Sequence, residues 1–287
     1  MNVKSVGLGE VKIEKMNRQE MDLAVEWARQ EGWNPGVNDA ECFYNTDPTG
    51  FYTAKIRNRI VGTISIVKYS SDYAFVGFII VHPEFRRRGI GSIMQRFCET
   101  SCRNLNAGLD GVLQMQASYE RYGFKFAHKN YRFTGKIRGK KSSLCVPVSR
   151  KDFEEVVTFD SKYFSTPRPK FLKCWLFQEN AKSFIIRKKA SRKICGYGLI
   201  RKCFNGHKIG PLFAETQEIA KTILDSLASS VPNEEIFLDV PEPNKTGIAL
   251  AKSYGMETVF ATARMYTNQQ FELPIKGIYG ITTFELG

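Results

Sequence analysis

Three consecutive arginines, Arg86-Arg87-Arg88, run into Gly89-Ile90-Gly91-Ser92, and apolar residues then recur at Ile93, Met94, Phe97, Cys98, Cys102 and Leu105. That spacing predicts a helix opening at the glycines. The first turn of a helix leaves backbone N–H groups without carbonyl partners and carries about half a positive charge, so it attracts anions. Glycine lets an anion reach the backbone with no Cβ in between, and guanidinium groups grip phosphate oxygens in pairs. The chemistry expected here is capture of a phosphate-bearing ligand. The chain has neither the Gly-Lys-Ser/Thr of a P-loop nor the glycine triplet of a dinucleotide fold, which removes both of those readings.

The element that must position this turn is Phe75-Val76-Gly77-Phe78-Ile79-Ile80-Val81, an unbroken apolar run that reads as a strand buried on both faces. Pro83 ends it, having no N–H for the ladder. Val81-His82-Pro83 followed by Arg86-Arg87-Arg88-Gly89-Ile90-Gly91 resembles the acyl-CoA signature of the GNAT superfamily of N-acetyltransferases. That signature is a strand ending in Val-x-Pro, then Arg/Gln-x-x-Gly-x-Gly/Ala at a helix start. Tyr119-Glu120-Arg121-Tyr122-Gly123-Phe124 resembles a second string of the family, Leu-Tyr-Glu-Lys-x-Gly-Phe.

The resemblance implies acetyl-CoA as acyl-donor substrate and direct attack of an amine in a ternary complex. Its pantetheine would pair with the backbone of Ile79, Ile80 and Val81. Arg86, Arg87, Arg88, Gly89, Ile90, Gly91 and Ser92 would hold the pyrophosphate, and Tyr119 falls on the tyrosine that protonates the departing thiolate in many members. The family's asparagine before that tyrosine is missing, and the segment leading to it is short. No carboxylate lies inside the 75–81 strand, so the base stays open among Asp72, Glu41, Glu215 and Asp239. His82 and Arg264 read as structural.

The order strand, helix, three strands, helix, strand, helix, strand is expected twice. In the first pass come a strand at 11–16, a helix from Asn17 with Glu20 as a capping box, a hairpin at 51–56 and 60–69, and strands at 112–116 and 125–133. Residues 135–143 are polar and lysine-rich and make the linker. Strings in the second pass resemble the C-terminal domain of tandem proteins of the YitH type: Gly196-Tyr197-Gly198, Ile209-Gly210-Pro211-Leu212-Phe213-Ala214, Asp239-Val240-Pro241-x-x-Asn244 and Arg264-Met265-Tyr266. The expected fold class is therefore α/β, mixed α+β. It comprises tandem GNAT folds over 1–138 and 144–287, each a mostly antiparallel mixed sheet with a splayed parallel central pair and flanking helices. In the second half Ala214-Glu215-Thr216-Gln217-Glu218 replaces the glycine turn, and two glutamates repel a pyrophosphate. One acyl-CoA site is expected, in the first half, with a degenerate second half contributing to a shared acceptor cleft.

With 287 residues, 43% hydrophobic and 25% charged, the composition is that of a soluble globular protein. No apolar run approaches the roughly 18 residues needed to span a bilayer, and residues 1–10 contain no apolar core of a signal peptide. Seven scattered cysteines with no C-x-x-C pair suggest neither a disulfide framework nor zinc, no metal is expected, and a reducing, cytoplasmic setting follows. The net charge of +13 is concentrated in residues 136–208, which hold 19 Lys/Arg against 5 Asp/Glu. Three function classes stand: an N-acyltransferase acting on a small-molecule or protein amine, a CoA-binding sensor or scaffold that has lost catalysis, and a nucleic-acid-binding protein. The last lacks the regular aromatic interleaving of a stacking platform and any helix-turn-helix or zinc pattern.

Overall fold

The computed structural model describes residues 11–287; residues 1–10, on which the signal-peptide reading rests, lie outside them. The first half runs β1 (Val11–Lys15), α1 (Arg18–Gln30), α2 (Asp39–Thr46), β2 (Phe51–Ile56), β3 (Arg59–Lys68), β4 (Tyr73–Val81), α3 (Ile90–Ser101), β5 (Asn106–Val112), α4 (Gln116–Arg121) and β6 (Lys125–Gly135). The second repeats it as β7 (Val146–Pro147), α5 (Phe153–Phe164), α6 (Pro169–Trp175), β8 (Ala181–Arg187), β9 (Ile194–Lys202), β10 (His207–Ala214), α7 (Gln217–Ala228), β11 (Ile236–Pro241), α8 (Lys245–Ser253) and β12 (Glu257–Tyr266). A short β13 (Ile278–Gly280) follows.

Local chemistry explains several boundaries. Asn17 Oδ1 accepts from the Glu20 amide and Glu20 returns a bond to the Asn17 amide, each at 2.9 Å, so the expected capping box starts α1. The β2–β3 turn takes its left-handed residue at Arg57, φ 55°, although Asn58 beside it is the residue type that adopts this conformation more readily. Gly206 supplies φ 59° in the turn between β9 and β10, and the Asn34 side chain donates to the Asn205 carbonyl and accepts from the Asn205 amide, each at 2.9 Å and across 171 residues.

The thirteen strands among the described residues form one sheet. The last strands of the two halves are exchanged: β12 pairs antiparallel with β5 of the first half, while β6 pairs with β11 of the second and with β12. The central parallel pairs are short. β4 and β5 pair from Tyr73↔Asn106 to Val76↔Leu109 and then part; β10 and β11 pair from His207↔Ile236 to Ile209↔Leu238 and part in the same way. In the second half the gap is filled by the chain itself. β13 pairs with β10 at Leu212↔Gly280 and Phe213↔Ile278, and the Ile281 amide donates to the Asp239 carbonyl at 2.8 Å. In the first half no strand enters the gap among the described residues.

Two corrections concern cysteine. Cys42 of α2 and Cys174 of α6 form a disulfide, S–S 2.11 Å, although 132 residues apart in sequence. Pairing at that separation depends on the way α2 packs on α6, which no cysteine spacing encodes. The disulfide also takes away the cysteine-based argument for a reducing compartment. The other five cysteines, Cys98 and Cys102 among them, are buried thiols. Titration of unfolded, unreduced protein is expected to count five thiols, and seven after reduction; seven without reductant contradicts the bridge.

Candidate functional site

The gap between β4 and β5 opens into a groove of about 500 Å³. Its walls are Ile79, Ile80 and Val81 of β4, the turn from Arg86 to Ser92, Val112 at the end of β5, Met115, Ser118 and Tyr119 around α4, and Trp33 and Phe260. Beyond Val76 the β5-facing edge of β4 has no ladder partner. Between Gly77 and Ile80 the strand bulges, Phe78 and Ile79 facing the single Ile64 of β3, with Phe78 at φ 50°. A bulge with a non-glycine residue in the left-handed region is strained and re-aims the strand's polar groups beside the opening. Thr63 steadies it, donating to the Phe78 carbonyl at 2.8 Å.

At the mouth, Gly89 caps α3 at φ 80°. Among the described residues, nothing accepts from the amides of Arg87 through Ser92. A Cβ built on Gly91 meets only the Val81 methyl, at 3.8 Å, so the space over the helix start is open. Unpartnered N–H groups at a helix start with room above them fit a pyrophosphate.

The three arginines divide. Arg86 Nε donates to the Val81 carbonyl at 3.0 Å and its fork pairs with Glu31, fixing strand end to helix end. Arg87, at φ 61°, lines the groove. Arg88 stacks 5.4 Å over Phe85 and does not line it. Tyr119 is buried on α4 with its ring against Gly111, and burial, with Cys98 nearby, pushes its hydroxyl up to about 12. It stays protonated through the neutral range.

Of the carboxylates considered as base, none lines this groove. Glu41 is exposed on α2, bonded to Arg18 at 2.8 Å and to Asn45. Asp72 sits in the turn before the closed end of β4, accepting from Ser70 at 2.6 Å. Glu215 pairs with Lys188 at 2.6 Å, and Asp239 is gripped by both arms of Arg132 at 2.7 and 2.8 Å. Arg264 forks onto Asp110 at 2.8 and 2.6 Å, a structural pair as expected.

Sequence reasoning missed Trp33, Phe260, Phe284 and Glu285. Phe260 arrives on the exchanged β12. Trp33, Phe260, Ile79, Val112 and Tyr119 continue from the groove into a second cavity of about 30 Å³ that Phe284 and Glu285 close. The signal was present at one position: Glu285 is the sole charged residue in 277–287.

A separate cleft of about 530 Å³ lies on aromatic residues including Tyr73, Phe164, Tyr266 and Phe271. Its charged groups do not suit an anion: Arg264 is committed to Asp110, and burial with Arg264 nearby holds the His128 imidazole down at about 3. Five of the nineteen basic residues in 136–208 are ion-paired, Arg168 to Asp160, Arg187 to Asp152 and Glu155, Lys188 to Glu215, Arg201 to Asp39 and Lys202 to Glu234. No group of His, Cys, Asp and Glu suited to a metal occurs among the described residues, and no helix there is long and apolar enough to cross a membrane.

Comparison with known proteins agrees with this layout. Residues 17–124 match the Acetyltransferase (GNAT) family, and residues 156–280 match a second family described as Acetyltransferase (GNAT) domain. The chain is similar to holothin acyltransferase of Pseudoalteromonas sp. (strain SANK 73390), 29% identical over 273 residues that cover 94% of this chain and 92% of the relative. It is also similar to the uncharacterized N-acetyltransferase YitH of Bacillus subtilis (strain 168), 26% identical over 79% of this chain and 81% of that one. A crystal structure from Pyrococcus horikoshii, described as a candidate acetyltransferase, shares the fold at TM-score 0.81 and 22% identity, covering 100% and 99% of the two chains. A tandem GNAT protein from the clavulanic acid biosynthesis pathway shares it at TM-score 0.63 and 12% identity, over 91% and 100%.

Proposed function

This chain belongs to the GNAT superfamily of acyltransferases, and from that premise we propose that it moves an acetyl group from acetyl-CoA to an amine by direct attack in a ternary complex. The observation that carries the reading is the open row of unpartnered amides from Arg87 to Ser92 at the mouth of the β4–β5 gap. The amides and Arg87 hold the pyrophosphate, and the free edge of β4 at Ile79 to Val81 takes the pantetheine. A main-chain N–H beside the Phe78 bulge polarises the thioester carbonyl. Tyr119 gives its proton to the departing thiolate.

The second half's corresponding gap is filled by β13, so one donor site per chain is proposed, with units 1–138 and 144–287 sharing the acceptor side. The acceptor is a small-molecule amine or a protein side chain, with no metal or nucleic acid in the reaction. The proposed acyl-CoA donor favours a cytoplasmic setting, and the Cys42–Cys174 disulfide counts against it.

The test is thiol release from acetyl-CoA with a panel of primary amines (benzylamine, tryptamine, histamine and spermidine). Amine-dependent release is expected, and Tyr119→Phe is expected to lower kcat about 10- to 100-fold with acetyl-CoA affinity within twofold. Acetyl-CoA bound but never turned over favours the CoA-sensing alternative.

A further inference from the structure

We propose that Glu285 is the base that takes the proton from the attacking amine, a role that rests on the acyl transfer proposed above. Segment 278–287 leaves the filled gap of the second half and crosses to the open gap of the first. There the backbone of Glu285 lies against Gly77, so closely that a Cβ on Gly77 would come 2.1 Å from the Glu285 carbonyl oxygen. The absence of a side chain at Gly77 is what admits the segment beside the bulge.

Glu285 is 2% exposed, and among the described residues neither of its carboxylate oxygens has a hydrogen-bond partner. A buried carboxylate left in that state costs free energy that a Leu would not, and more than a neutral Gln. It lines the cavity of about 30 Å³ that joins the donor groove through Ile79, Val112 and Tyr119, a volume suited to one or two waters.

The charged groups around it are otherwise spoken for. Asp39 is closed by Arg201, Asp239 by Arg132, and Asp110 by Arg264 and Asn130. Lys208, fully buried on β10, donates to the Asn34 and Trp33 carbonyls and makes no salt bridge among the described residues. Of the two carboxylates lining this cavity, Asp110 is paired and Glu285 has no fixed partner among the described residues, with Lys208 and Arg132 as its counter-charges. Burial pushes its carboxyl up, and Lys208 and Arg132 oppose that. A carboxyl so raised is better matched to general-base work than an exposed one.

In the step, the amine nitrogen bonds to the thioester carbonyl carbon and the C–S bond breaks. The proton leaving nitrogen passes to a Glu285 oxygen, directly or through one water. The sulfur takes the Tyr119 proton, and the proton on Glu285 returns to Tyr119 through solvent, leaving amide and free thiol.

Glu285→Gln keeps the shape and removes the base. With acetyl-CoA and the fastest amine of the panel, kcat is expected to fall by about 10²–10³. Calorimetric acetyl-CoA affinity should stay within twofold. The acid limb of the kcat/KM profile, set in the wild type by Glu285 among Lys208, Arg132, Asp39, Arg201, Asp239, Asp110 and Arg264, should be lost. Glu285→Asp should keep that limb at an intermediate rate, and it carries the test if Glu285→Gln does not fold. Turnover of Glu285→Gln within threefold of wild type with the acid limb intact overturns the role. Failure of the wild type to bind or turn over acetyl-CoA instead overturns the acyl-transfer reading beneath it.

Discussion

Gly91→Glu is expected to abolish acetyl-CoA binding, raising Kd at least 100-fold, while the protein folds as before. The two halves of that expectation come from different atoms. The protein has room for the side chain, because the nearest neighbour of a Cβ at Gly91 is 3.8 Å away and Gly91 does not sit at positive φ. A carboxylate in the first turn of α3 even suits the helix dipole, by about 0.3–1 kcal/mol. The same carboxylate lies where the pyrophosphate oxygens would be held, adding repulsion and bulk to the only open space over the amides. A hundredfold loss corresponds to roughly 2.8 kcal/mol. Gly89 is a poorer place for this experiment, because at φ 80° any side chain strains the cap as well. A melting temperature equal to or above that of the wild type, with binding lost in the same sample, is the expected pair of results. Retained binding would move the donor site elsewhere.

Arg132→Met is expected to cost about 3–5 kcal/mol of stability at neutral pH, the usual penalty for stranding one member of a buried ion pair. Arg132 on β6 and Asp239 on β11 are register partners across the exchanged strands and are 2% and 1% exposed. Arg132 also donates to the Trp33 carbonyl at 2.6 Å and packs 4.6 Å over Phe284, so it ties the strand exchange to the walls of the site. In the wild type, burial pushes the Asp239 carboxyl up. The Arg132 charge and its two bonds, with Lys208 and Arg201, outweigh that and hold it below its ordinary value. The stability it contributes is therefore present above about pH 4 and is lost as pH falls through the lower folded value. Without Arg132, burial loses its main opponent, so the penalty should be largest near pH 7 and shrink toward pH 4 as Asp239 takes a proton. Denaturant unfolding at several pH values checks this. Arg132→Met with Asp239→Leu should recover most of the loss; a double variant no better than the single one contradicts the account.

How much of this was legible in the sequence depended on how local the cause was. The glycine turn, the buried β4 and the capping box at Asn17 each follow from a few adjacent residues, and each stands where the spacing put it. The tandem order was legible because the same periodicities recur. The strand expected at 112–116 instead ends at Val112, as β5 over Asn106–Val112, and otherwise what failed to show were partnerships between residues far apart. Nothing near Val259 says that β12 leaves its own half to lie beside β5, and nothing near Cys42 points to Cys174. Helix α2 went unseen because it is only eight residues, one of them Asp39, whose burial makes sense only with Arg201 opposite. Asp72 is a candidate because it precedes β4, Glu41 because it follows the first helix, and Glu215 and Asp239 because they come from the second half, and none of the four lines the groove. Glu285 reaches the gap by crossing between the halves, a path set by β13 filling the second gap.

The central claim is one donor site per chain, at the start of α3. Calorimetric titration of the wild-type protein with acetyl-CoA tests it most directly, with adenosine diphosphate as the weaker-binding control. The account predicts saturable binding with one acetyl-CoA per chain, and weaker binding of the control at the same site. Two sites per chain would mean that β13 leaves the second gap, and an absence of heat at several temperatures would contradict the donor site itself.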